Sequence, residues 1–179
     1  MAIWVNAIGY QIVWFCAVIG AGGGRAWPGV VAAIVFIAWE WVRSKHRAAD
    51  ARLVISAILI GCVLDGALAW SGWARYAAVW PWPGAAPVWI LAVWASFAMT
   101  LTRSSRFIVA RPMWALLLGA IGGPLAYSGA SRGWHAVDFA TPTWRSLLAL
   151  AIGWSIALPL LALLTQRWAR IQAINAADT

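Results

Sequence analysis

The chain has 179 residues, of which 64% are hydrophobic and 10% charged. A soluble domain carries roughly 25% charged residues, so this composition excludes an ordinary water-soluble globule and makes lipid the main solvent. The net charge of +8 would suggest nucleic acid in a soluble protein. Here the bases fall in short loops between apolar runs, where membrane topology already accounts for them, and no nucleic-acid partner is expected.

A membrane crossing needs about 20 mostly apolar residues. Six runs approach that length: 3–22, 26–42, 53–73, 87–102, 112–129 and 146–167. Lipid leaves no unpaired backbone, and continuous apolar runs without alternation select helices over a closed barrel. The reading is therefore all-α, a polytopic transmembrane helical bundle of about six spans forming one domain over 1–179. Nine of the 13 Lys and Arg residues (Arg43, Lys45, Arg47, Arg52, Arg103, Arg106, Arg111, Arg167 and Arg170) fall on one side of that topology. The positive-inside rule then puts both termini in the cytoplasm.

The first run opens with "MAIWVN" and lacks a basic leader, which reads as a span rather than a cleaved signal. It carries two polar residues, Asn6 and Gln11, and a tryptophan near mid-depth, Trp14. At about 1.5 Å per residue, Gln11 lies about 12 Å in from the inner end. The second run ends in "WEWVRSK", where Glu40 can pair with Arg43 at helical spacing. Cys16 and Cys62 both lie in apolar runs and read as buried thiols rather than a disulfide framework.

The third run contains the sharpest feature, "GCVLDGALAW" at 61–70. Asp65 lies roughly 18 Å from the inner end of its span, just past the midplane. A carboxylate there costs about 2.5–3.5 kcal/mol on insertion scales, so it must face the bundle interior and find partners. Gly61, Cys62, Gly66 and Ala69 around it allow close helix approach.

The fourth run places Trp94 near its middle, and the sixth does the same with Trp154. The other tryptophans mostly fall at span ends, where an interfacial belt explains them. Trp14, Trp94 and Trp154 share one depth and suit an aromatic ligand lining. In the fifth run, "GGPLAY" puts Gly122, Gly123 and Pro124 at the level of Asp65, with Tyr127 slightly beyond. Proline deletes one helical hydrogen bond, so an interrupted helix is expected there. Broken helices beside a buried ionisable group are a common make-up of transporter sites. In the last outer loop His135 and Asp138 offer two metal ligands without a third, and neither a metal site nor a cofactor is expected.

Several motifs occur together: Asn6, Gln11, Trp14 and Phe15; Asp65; Pro87, Trp89, Ile90, Trp94 and Phe97; and Gly122 to Tyr127 with Gly129. The set resembles a family of small multi-span bacterial inner-membrane proteins, a domain of unknown function, over essentially the whole chain. That resemblance implies a compact inner-membrane protein of Gram-negative bacteria and an association with fatty-acid modification. It implies no activity and no cofactor.

Two functions follow as expectations. In the first, Asn6, Gln11, Trp14, Asp65, Trp94, Gly123, Pro124, Tyr127 and Trp154 form a mid-membrane site that binds or transports a small amphipathic or lipid-like molecule. Length and span count also resemble the substrate-capture subunits of energy-coupling-factor vitamin transporters, in architecture alone. In the second, the chain is an accessory or scaffold subunit, or an intramembrane enzyme, in lipid modification. Acid–base catalysis wants two convergent groups, and one deep carboxylate stands alone, so binding is preferred to catalysis. Membrane lipids are the expected partners, with a homo-oligomer or a partner membrane protein left open.

Overall fold

The computed structural model describes residues 2–177, with side chains over 3–171. Seven helices are joined by short connections: α1 (Ala2–Gly22), α2 (Trp27–Val42), α3 (Arg47–Trp70), α4 (Val88–Leu101), α5 (Arg106–Val109), α6 (Pro112–Trp134) and α7 (Trp144–Ala177). Four stretches of helix are long and apolar enough to cross a membrane: Ile3–Gly22, Arg47–Trp70, Pro112–Trp134 and Trp144–Ile171. Trp27–Val42 and Val88–Leu101 are shorter apolar helices.

Local chemistry sets the ends. α1 stops at a glycine run in which Gly24 takes φ +75° and Arg25 N–H returns to the Gly20 carbonyl, a left-handed cap that favours glycine. Pro28 and Pro112 stand in the first turns of α2 and α6, where a missing N–H costs nothing. Three helices outrun the apolar limits read from sequence. α3 begins at Arg47, α6 continues to Trp134 and α7 begins at Trp144 and continues to Ala177. A helix need not end where its hydrophobicity does.

Glycines bring the backbones together. A Cβ on Gly29 of α2 would lie 2.6 Å from Ala17 Cα of α1, and one on Gly119 of α6 would lie 2.2 Å from the Trp154 carbonyl oxygen of α7. Each pair can approach so closely only because the side chain is missing.

The all-α expectation needs one addition. β1 (Ala74–Tyr76) and β2 (Val137–Phe139) pair antiparallel, with Ala74 opposite Phe139, Arg75 opposite Asp138 and Tyr76 opposite Val137. This small sheet ties the α3–α4 connection to the α6–α7 connection. Ser146 Oγ donates to the Trp73 carbonyl at 2.7 Å and fastens α7 to the same place. Along β1 the Ala74 and Tyr76 side chains are buried and Arg75 is exposed. The sheet therefore turns one tyrosine into the bundle.

Two pairings differ from the sequence expectation. Glu40, buried to 1% exposure, pairs with Arg103 from the turn after α4 and not with Arg43. The Arg43 guanidinium lies over the Trp39 ring at 5.3 Å. Both cysteines are free, but neither is fully buried: Cys16 is half-buried and Cys62 exposed.

Candidate functional site

Gly61 and Asp65 are four residues apart on α3 and share one buried face. A Cβ on Gly61 would lie 2.5 Å from Trp94 Cδ1, so the bare glycine is what admits the indole of α4. Trp94 Nε1 then reaches Asp65 and donates to Oδ2 at 2.7 Å. The Trp94 ring stacks on Trp154 of α7, with centroids 4.1 Å apart and planes 11° from parallel. The far side of that stack rests on α6, where a Cβ on Gly123 would lie 2.4 Å from Trp154 Cδ1. Two indoles are held between two glycines.

Four residues after Gly123, Tyr127 donates its hydroxyl to Asp65 Oδ1 at 2.6 Å. Tyr76, presented by the sheet, donates to the same oxygen at 2.7 Å. Trp89 backs Tyr76 edge-on at 6.2 Å and fixes its own indole through Nε1 to the Ala77 carbonyl at 2.9 Å. Asp65 is fully buried and accepts three hydrogen bonds, all from neutral groups. An ionised carboxyl is acceptor-only with about four lone-pair sites, so the arrangement leaves it nearly satisfied without a cation.

A cavity of about 330 Å³ lies on the other side of the aromatic wall. Its lining comes from α1 (Tyr10, Trp14), α4 (Trp94, Phe97), α6 (Gly123, Tyr127) and α7 (Trp154), among others, and includes no charged side chain. Asp65 does not line it. The carboxylate sits behind Trp94 and Tyr127 and draws their polar atoms away from the cavity. Trp154 Nε1 is buried without a hydrogen-bond partner and presents no surface to the cavity.

Five of the residues expected at a ligand site, Trp14, Trp94, Gly123, Tyr127 and Trp154, therefore meet around one space. The other four do not. Asn6 is buried at the opposite end of the bundle, where Nδ2 donates to the Met99 carbonyl at 3.4 Å and Ser104 Oγ donates to Oδ1 at 2.6 Å. Gln11 has the expected position along α1 but lies on its exposed side. Pro124 is absent from the lining, and α6 runs unbroken through it from Pro112 to Trp134. The interrupted helix is thus a correction: one lost hydrogen bond is tolerated inside an otherwise packed helix. Asp65 orients the wall instead of touching the space.

Tyr76 was not anticipated. It sits in a connection, and only its being one of three tyrosines in the chain could have drawn attention to it. His135 caps α6 in a left-handed conformation at φ 53°. Among the described residues no group of three or more His, Cys, Asp or Glu could hold a metal ion.

A family model described as "Protein of unknown function (DUF2878)" matches residues 3–160. The chain belongs to this family. The match covers α1 through α6 and the part of α7 that carries Trp154, so the Asp65 cluster and the cavity lie wholly within the family domain. Neither a curated protein nor a solved structure matches the chain.

Proposed function

We propose that the chain is a bacterial inner-membrane protein that binds or transports a small amphipathic or lipid-like molecule in the cavity beside Asp65. In this reading all six apolar helices cross the bilayer, the two shorter ones included, and both termini face the cytoplasm. The lengths of four helices and the placement of nine of the 13 bases on one side support that topology.

The observation that carries the binding reading is the division of labour across the aromatic wall. Trp94 and Tyr127 give their polar atoms to Asp65 and also line the cavity. Pockets for small ligands run from about 300 to 1,000 Å³ and are mostly apolar with few polar groups, and this one lies within that range. Asp65 acts as a positioning residue that locks two walls in one geometry. Its partners are two phenols and an indole, which favours positioning over acid–base work.

Native mass spectrometry of protein extracted gently from its own membrane tests the reading. A small molecule retained by the wild type, and lost when Trp154→Ala opens the wall, is the expected result. A wild type that carries nothing beyond exchangeable detergent would overturn it. A reporter fused after Thr179 should be active only on the cytoplasmic side; activity confined to the periplasm would overturn the topology.

A further inference from the structure

We propose that a second cavity, at the end of the bundle away from the small sheet, holds the headgroup of one anionic phospholipid: a phosphodiester that also carries hydroxyl donors, as in phosphatidylglycerol. The site is separate from the apolar cavity. It goes beyond the reading above and needs only that the long helices span a bilayer.

The cavity, about 290 Å³, lies where α3 begins and where α7 passes Thr165 and Trp168. Both helices are long and apolar enough to cross a membrane, so these ends mark the level of the lipid headgroups. Leu53 and the half-buried Trp168 give the cavity an apolar side, and indoles favour that depth. Such a wall suits the glycerol and first acyl carbons of a lipid better than a soluble anion.

The bases come from two separate segments. Arg43 and Lys45 of the α2–α3 connection and Arg103 of the turn after α4 line the cavity, beside His46. Glu40 fastens Arg103 from behind: its carboxylate faces Nε, and its backbone carbonyl accepts from Nη2 at 3.2 Å. A guanidinium holds five N–H donors in a fixed fork, and Nη1 bonds to none of the described residues. A fork fixed on one side and free on the other matches the oxygens of a phosphate. Arg43 and Lys45 are exposed and can close on the same group. Basic pockets between helix ends are a recurrent seat for anionic headgroups.

One acid shares the cavity and has no partner. Asp50 lines it and is 4% exposed, yet its carboxylate has neither a hydrogen bond nor an ion pair among the described residues. The start of α3 favours a negative charge there, but a buried carboxylate still requires donors. A group that joins both sides must offer an anion to the bases and O–H donors to Asp50. Three permanent cations face Asp50, with Glu40 behind Arg103. That excess favours a net-anionic headgroup over one that brings its own ammonium.

The test offers dioleoyl phosphatidylglycerol, phosphatidylethanolamine and phosphatidylcholine, which share their acyl chains, to the full chain in detergent. Native mass spectrometry counts the lipid retained. The wild type should keep one phosphatidylglycerol about 10-fold better than phosphatidylcholine, and Trp154→Ala, which opens the other cavity, should keep it too. Arg43→Ala combined with Lys45→Ala should weaken it about 10-fold. Arg167→Ala combined with Arg170→Ala removes two exposed bases outside the cavity and should change little. Equal loss from the two pairs would reveal a diffuse basic surface and overturn the site. Asp50→Ala separates two explanations by sign. Binding should weaken about 3- to 10-fold if Asp50 accepts from the headgroup; binding that strengthens, as it would if the acid only repelled the phosphate, would overturn that contact. A preference for phosphatidylethanolamine would overturn the choice of headgroup, and displacement of the lipid by millimolar inorganic phosphate would overturn the lipid itself in favour of a soluble anion. If Asp50→Ala does not fold, the lipid preference and the two pairs of basic substitutions decide the matter.

Discussion

Two of the three buried acids among the described residues, Glu40 and Asp65, are treated in opposite ways. Glu40, at one end, is paired with Arg103, whose Nη2 also donates to the Glu40 carbonyl at 3.2 Å. Arg103 is 24% exposed, and the neighbouring Asn6–Ser104 bond ties α1 to the same turn. That cluster is a clasp: it joins α1, α2 and α4 where a cation can still keep contact with water. Asp65, in the interior, has no cation and takes three neutral donors from α4, α6 and the small sheet. Each of those donors belongs to an aromatic ring, and two of the rings wall a cavity. The rings that bond Asp65 line an apolar space with no charged side chain, whereas Arg103 lines one shared with Arg43, Lys45 and His46. On the reading proposed above, the first acid is a fastening and the second belongs to a site.

Removing the interior acid should do the most. Asp65→Leu strands three buried donors at about 1–3 kcal/mol each, so a melting temperature lowered by many degrees and complete loss of the retained molecule are expected. Loss of stability with the molecule still bound would show that the carboxylate does not position the wall.

The glycine seats come next. Gly61→Ala drives a methyl into Trp94, and Gly123→Ala drives one into Trp154. Overpacking of this kind costs about 1–3 kcal/mol, and both changes should weaken retention by pushing an indole toward the cavity. If melting curves and retention match the wild type, the stack is looser than described.

Tyr76→Phe deletes one of the two donors on Oδ1 and leaves Tyr127 in place. A stability loss of about 0.5–1.5 kcal/mol with partial retention is expected, read by melting and native mass spectrometry. Smallest at the site should be Glu40→Gln. Its backbone carbonyl still accepts from Arg103, which keeps contact with water, so the stability lost with the buried carboxylate leaves the cavity wall untouched. Retention should not change. A loss from Glu40→Gln equal to that from Asp65→Leu would erase the distinction between the two regions.

Much of this is legible in the sequence. Apolar runs and Gly, Pro and Arg separators located all six long elements, because each helix must bury or expose hydrocarbon along its whole length. Asp65 stood out because nothing cheap explains a carboxylate in such a run, and Trp94, Tyr127 and Trp154 followed from depth along their own helices. Depth is one coordinate only. Gln11 has the right depth and the wrong side of α1, since the rotation of a helix that is apolar all round is not written in its periodicity. Asn6 looked like a site residue because polar atoms in apolar runs look alike, whatever they bond. Tyr76 escaped for a different reason. Three-residue strands from separate connections carry no pattern, so nothing in the sequence says that β1 folds onto β2 and turns that tyrosine inward. Pro124 misleads, because a proline between packed helices does not have to break its own.

The central claim is that the space between α1, α4, α6 and α7 is a binding site whose wall Asp65 holds in place. An experimental density map of the protein in nanodiscs of its native lipid tests it most directly. The account predicts density for a bound molecule among Tyr10, Trp14, Phe97 and Tyr127, with Trp94 and Tyr127 still bonded to Asp65. A map in which Tyr10 and Trp14 have closed onto Phe97 and Tyr127 and filled the space, with Asp65 unchanged behind them, would contradict it.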